Sequence, residues 1–124
     1  MNVLIDSHCL LWWLADLPMS SQASEVIGDP DNDVFVSTAT IWELEIKVAL
    51  GKLVIDGDLV TDVEASGFDW LRITAIHAQV AARLPRHHRD PFDRMLIAQA
   101  LTEGCTLVSR DSEFSEYSVS LVVA

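Results

Sequence analysis

Lysine and arginine are scarce in this 124-residue sequence, eight against nineteen Asp and Glu, and the formal net charge is −11. A protein that coats nucleic acid through its phosphates needs the opposite balance, so that class is excluded. Cysteine is scarcer still. Cys9 and Cys105 stand far apart within apolar segments, which reads as two buried thiols rather than a disulfide framework. Too few Cys and His fall at ligand spacing for a zinc site. Half of the residues are apolar, yet no apolar run approaches the roughly 20 residues of a membrane span. The stretch from Cys9 to Leu14 follows Asp6 and His8 rather than a basic segment, unlike a signal peptide. No repeat, low-complexity segment or linker interrupts the chain. These absences predict a cytoplasmic protein with no membrane contact, folded as a single domain over residues 1–124.

The few basic residues are clustered. Arg83, Arg86, Arg89 and Arg94 are half of the total, with His87 and His88 among them. An acidic body with one basic segment can bind RNA there, although a solvated loop has the same composition.

Short apolar runs alternate with helical patterns. Val3-Leu4-Ile5, Val34-Phe35-Val36, Trp70–Ile73, Thr106-Leu107-Val108 and Val119–Val123 read as strands. Between them, helices are predicted near His8–Leu14 with Ser7 as cap, Ser20–Ile27, Ala39–Leu50 stopped by Gly51, residues 58 to 66, Ala75–Leu84, and Phe92–Thr102 stopped by Gly104. In the third of these, Ile41, Leu44 and Val48 form the apolar stripe. Alternation of this kind predicts an α/β fold, a mainly parallel sheet covered by helices on both faces. Ligands then bind beyond the carboxyl ends of the strands.

Carboxylates stand at those positions. Asp6 follows the first strand, and Asp111 stands three residues after Val108. Glu43 lies in the first two turns of the helix after the second strand, and Asp90 and Asp93 at the start of a late helix. Gathered on one sheet edge, unpaired carboxylates repel, and a divalent cation relieves them. All-oxygen ligation suits Mg²⁺ or Mn²⁺ rather than zinc. Local alternatives exist: Asp90 as N-cap with Pro91 at the first helical position, Glu43 paired with Lys47 at i,i+4, and Asp111 capping a turn through Phe114. Asp6 is hardest to explain structurally, because a carboxylate ending a buried strand needs a partner.

The segments carrying these acids resemble a known family. Val3-Leu4-Ile5-Asp6-Ser7-His8 is similar to the opening strand of PIN-domain proteins, and Leu10-Leu11-Trp12-Trp13 resembles a VapC-like branch of toxin ribonucleases. Ser37-Thr38-Ala39-Thr40-Ile41-Trp42-Glu43-Leu44 is similar to the family's second segment. His88–Ala100 resembles its third, and Thr106-Leu107-Val108-Ser109-Arg110-Asp111 its fourth. The resemblance implies a three-layer α/β/α PIN-like fold and metal-dependent endoribonuclease activity, a hydrolase of RNA phosphodiester bonds. It implies Asp6, Glu43, Asp93 and Asp111 as the catalytic, Mg²⁺- or Mn²⁺-binding quartet. Asp93 is preferred to Asp90 because it stands eleven residues before Gly104, as the acid of the family's helix does; Leu96 replaces the usual Ile there. Ser7, Ser109 and Asp90 are candidates for supporting the ligands. Arg86, Arg89, Arg94 and Arg110 are candidates for RNA contacts. A toxin of this kind implies a cognate antitoxin that covers the acidic pocket, and a homodimer.

Other readings remain. A phosphoacceptor receiver domain needs a lysine after a late strand, and none follows Lys52. A PIN nuclease with a housekeeping RNA-processing role shares every motif, as does a catalytically inactive binding module of the same fold. His8 could serve as a base, and the four tryptophans, Trp12, Trp13, Trp42 and Trp70, could stack on nucleobases, but their contexts favour packing, in the core or against a partner. Which RNA is cut is not written in the motifs.

Overall fold

Val3 and Ile5 face one side of strand β1 (Asn2–Ile5) and Leu4 the other, and all three are fully buried in the computed structural model, which describes residues 1–87 and 90–124. A strand buried on both faces belongs in the middle of a sheet covered by helices. Strand β2 (Asp33–Ser37) lies on one side of β1 and β4 (Thr106–Ser109) on the other; β3 (Asp69–Leu71) and β5 (Leu121–Val123) form the edges, giving the order β3-β2-β1-β4-β5. The four strand pairings are parallel.

Among the described residues six helices connect the strands: α1 (Ser7–Leu14), α2 (Ser21–Gly28), α3 (Thr38–Ala49), α4 (Leu59–Ala65), α5 (Ala75–Arg83) and α6 (Pro91–Glu103). One core joins Val3, Ile5, Val36 and Val108 of the sheet to Leu10 of α1, Ile27 of α2, Leu44 of α3 and Val63 of α4. The other joins Leu4 and Leu107 to Leu96, Ile97 and Ala100 of α6, with Phe114 and Tyr117. Among the described residues no helix is long and apolar enough to cross a membrane.

The helix ends follow local chemistry. Ser37 caps α3 through the Ala39 N–H, and Gly51 leaves it at φ +71°. Asp90 caps α6, accepting the Phe92 N–H at 2.8 Å, and Gly104 closes it in the left-handed region at φ +68°. In α5 the capping box is closed by a histidine: Thr74 accepts the His77 N–H, and His77 Nδ1 accepts that of Thr74. The ring proton is thereby left on Nε2, which donates to Glu103 Oε1 at 2.8 Å and ties α5 to α6. One cap differs from expectation. Asp6, not Ser7, caps α1, because its carboxylate reaches the Cys9 N–H while Ser7 is already helical. A turn of 3-10 helix, Ser112–Glu116, follows β4 and is capped by Asp111. The late strand starts at Leu121 rather than Val119, and Ile73 falls beyond the end of β3.

The strand order has a direct consequence for ligands. The chain leaves β1 towards β2 and leaves β4 towards β5, so the connections diverge between two neighbouring strands. In an open parallel sheet this divergence opens a crevice at the carboxyl ends. Asp6 and Asp111 stand beside it.

Candidate active site

Asp6 is 5% exposed, and both of its carboxylate oxygens are engaged. Oδ1 accepts the Cys9 N–H at 2.9 Å, and Oδ2 accepts the Ser109 hydroxyl at 2.5 Å. The Asp6 N–H pairs with the Val108 carbonyl, which fixes the backbone of β1 against β4. Ser109 is itself fully buried. Its hydroxyl donates to Asp6 and accepts the Asp111 N–H at 3.0 Å, so one side chain sets two acidic positions. Asp111 Oδ1 in turn accepts the Glu113 N–H.

Glu43 comes from the second turn of α3 and is 8% exposed. Lys47, one turn later, holds it at 3.3 Å. The i,i+4 pair read from the sequence as a local alternative does form, and it does not take Glu43 away from the crevice. Asp93 is in the first turn of α6, placed there by the Asp90 cap.

These side chains meet at a cavity of about 360 Å³ lined by Asp6, Glu43, Asp90, Asp93 and Asp111, with Lys47 and Arg110 as its cations. Ser7, His8 and Phe114 complete the lining. Asp93 registers the crowding: burial first, then the charges of Asp90, Glu43, Asp6 and Asp111, push its carboxyl up to about 7. Such a donor set fits a hard divalent cation, since each acid supplies oxygen ligands and excess negative charge needs a counterion. Among the described residues no three acids are already drawn into one coordination sphere.

The remaining candidates separate. Ser7 lines the cavity and Ser109 positions two acids from beneath it. Asp90 lies at the rim as the exposed cap of α6. Arg110 lines the cavity, with its guanidinium carbon 5.8 Å from the centre of the Trp12 ring. Arg86 is exposed on the connection between α5 and α6. Arg89 lies outside the described residues, as does His88. Arg94 has a structural task. Its guanidinium donates to the carbonyls of Ala81 and Leu84 at 2.8 Å and Pro85 at 3.0 Å, closing the C-terminal end of α5. Tyr117 also donates to the Pro85 carbonyl.

Sequence reasoning did not place Lys47 or His8 at the cavity. Lys47 was recognisable through its spacing from Glu43. His8 was assigned to packing, whereas its half-exposed ring lines the cavity beside Trp12, with ring centres 6.3 Å apart. Both thiols behave as expected. Cys9 and Cys105 are free and buried, and burial pushes each thiol up, with the charge of Asp6 adding to the rise at Cys9 and that of Glu103 at Cys105.

The fold and sequence have relatives. The family model for the PIN domain matches residues 3–119. The chain is 30% identical over 118 residues to Ribonuclease VapC22 of Mycobacterium tuberculosis, an alignment covering 89% of this chain and 87% of that protein. Among solved structures, VapBC2 from Rickettsia felis bound to a promoter DNA fragment superposes with a TM-score of 0.75 at 14% identity, covering 99% of this chain and 98% of that one. A toxin–antitoxin complex from Klebsiella pneumoniae gives 0.69 at 15% identity, covering 98% and 96%. At those identities the structural matches establish the shared fold.

Proposed function

The chain belongs to the PIN-domain family, and we propose that it is a VapC-type endoribonuclease, dependent on Mg²⁺ or Mn²⁺, acting as the toxin of a toxin–antitoxin pair. The observation that carries this reading is the meeting of Asp6, Glu43, Asp93 and Asp111 from four elements on one cavity at the carboxyl edge of the sheet. Those four acids would hold the cation. When bound, a divalent cation supplies Lewis-acid stabilisation of phosphoryl charge and a more acidic water for hydrolysis.

The protein's own residues set the conditions for that chemistry. Ser109 and the Cys9 N–H hold both oxygens of Asp6 in place, so its charge is positioned in advance. Lys47 partly neutralises Glu43. Arg110, supported by the Trp12 ring, presents N–H donors to an RNA phosphate that enters the cavity. Asp93, whose ionisation is resisted by burial and then by its acidic neighbours, would have to give up its proton to serve as a ligand. No protein nucleophile is required.

Relatives of this fold include toxin–antitoxin complexes, and a cognate antitoxin covering the acidic cavity is the partner that this reading assigns to the chain, together with assembly as a homodimer. The test is cleavage of a labelled RNA panel by purified, antitoxin-free protein in Mg²⁺, Mn²⁺ or EDTA, beside Asp6→Asn and Asp93→Asn. Metal-dependent cutting absent from both variants is expected. Equal cutting by all three proteins would overturn the site assignment, and no cutting by folded wild type would leave a binding module.

A further inference from the structure

Three of the four tryptophans are half-buried, whereas Trp42 is 64% exposed. It stands off the apolar stripe of α3, and its one aromatic neighbour among the described residues is Phe92. The two rings meet in a T-shape, 5.5 Å between centres at 72°. A T-shaped contact covers at most one face of the indole, and the exposure leaves the other open to solvent. Trp42 is the residue before Glu43, and Phe92 the residue before Asp93. Both acids line the cavity. Consecutive Cα atoms are 3.8 Å apart, and consecutive helical side chains are turned by about 100°. The aromatic pair therefore stands outside the cavity lining but next in sequence to two of its acids, on two helices at once.

We propose that Trp42, braced by Phe92, is a stacking platform for one unpaired nucleobase next to the phosphodiester that enters the cavity. This deepens the nuclease reading and rests on it. The charge balance is what favours a base as the occupant. A chain of net charge −11 repels the RNA backbone wherever a bound cation or a basic side chain does not offset that charge. The base faces are the uncharged part of RNA that such a surface can hold, and an indole takes any base by its π-face. In a duplex those faces are stacked and out of reach.

The indole N–H signals of ¹⁵N-labelled protein in EDTA, with Trp42 identified through Trp42→Phe, test the platform apart from cleavage. Adenosine is expected to shift the Trp42 signal saturably at millimolar concentration, and ribose is not. A single-stranded oligoadenylate shifts it at lower concentration than the same strand paired in a duplex. In cleavage assays Trp42→Leu raises KM for single-stranded RNA roughly 10- to 100-fold with kcat little changed, and Trp42→Phe restores most of the loss. An unmoved Trp42 signal, or an equal response to ribose, overturns the platform. Dissociation of a wild-type dimer by Trp42→Leu, measured by sedimentation, also overturns it, because a second copy would then cover the indole. Adenosine binding at Trp42 without any RNA cleavage would remove the nuclease reading and keep the platform; cleavage with unchanged KM in Trp42→Leu would do the reverse.

Discussion

Replacing Asp93 with asparagine keeps the size of the side chain and removes one charge from a crowded cavity. In the metal-free protein that charge is a burden. Its carboxyl is raised from the ordinary 3.8 to about 7 by burial and by Asp90, Glu43, Asp6 and Asp111. At about 1.4 kcal/mol per pKa unit, the ionised side chain costs at most about 4 kcal/mol above neutral pH. Asp93 is only half-buried, and solvent screening brings this to about 1–2 kcal/mol. The first turn of α6 loses a favourable dipole contact in the variant, about 0.3–1 kcal/mol in the other direction. The net expectation is a gain of about 1 kcal/mol, or about 3–5 °C in Tm. The pH sign follows from linkage. Below pH 4 Asp93 is protonated in folded and unfolded chains alike, so the burden is absent. It grows as pH rises through about 7, where the folded protein alone still holds the proton, and is constant above that. Thermal unfolding followed by circular dichroism in EDTA, from pH 4 to pH 9, should show Asp93→Asn drawing ahead of wild type across that window. Saturating Mg²⁺ should then raise wild type more than the variant. A variant less stable than wild type in EDTA at pH 8 would show that the repulsion is already compensated, and would refute the acidic-crowding account.

Arg94→Ala should destabilise the fold by about 1–3 kcal/mol, because the carbonyls of Ala81 and Leu84 lose the guanidinium donor while that of Pro85 keeps only Tyr117; denaturant titration measures the loss, and hydrogen exchange should quicken around residues 81–85. Thr40 is 1% exposed, and its hydroxyl has no hydrogen-bond partner among the described residues. Thr40→Val should therefore raise stability by about 1 kcal/mol, and a lower Tm would reveal an ordered water on that hydroxyl. Cys9 and Cys105 should resist a thiol-specific reagent in native buffer up to pH 8 and react together on unfolding, because burial keeps both protonated and covered.

What was legible before the structure was the set of strand ends. Val3–Ile5 and Leu107–Val108 are apolar on both faces, and such strands leave polar residues only where they stop; Asp6 and Asp111 were found that way. Glu43 and Asp93 followed from helix starts, since a first or second turn places side chains back over the sheet edge. The strand order was not legible, because nothing in a strand's composition names its neighbours. The carbonyls that Arg94 meets were not legible for a related reason: its position beside Asp93 is local, but they are set by the packing of α5 on α6. Asp6 displaced Ser7 as a cap because either side chain can reach an amide, and only the backbone angle at the strand end decides. Trp42 carried a signal that went unused. It lies off the Ile41-Leu44-Val48 stripe, which is where an exposed residue belongs.

The central place of β1 also governs when the molecule becomes whole. Its two neighbours are drawn from distant parts of the chain, residues 33–37 and 106–109. During vectorial synthesis β1 and β2 can pair early, but one side of β1 stays open until β4 has been translated. Until then Asp6 has neither the Ser109 hydroxyl nor the Val108 carbonyl. The acidic cavity is thus among the last features to assemble, and a half-made chain carries its charges without the geometry that focuses them.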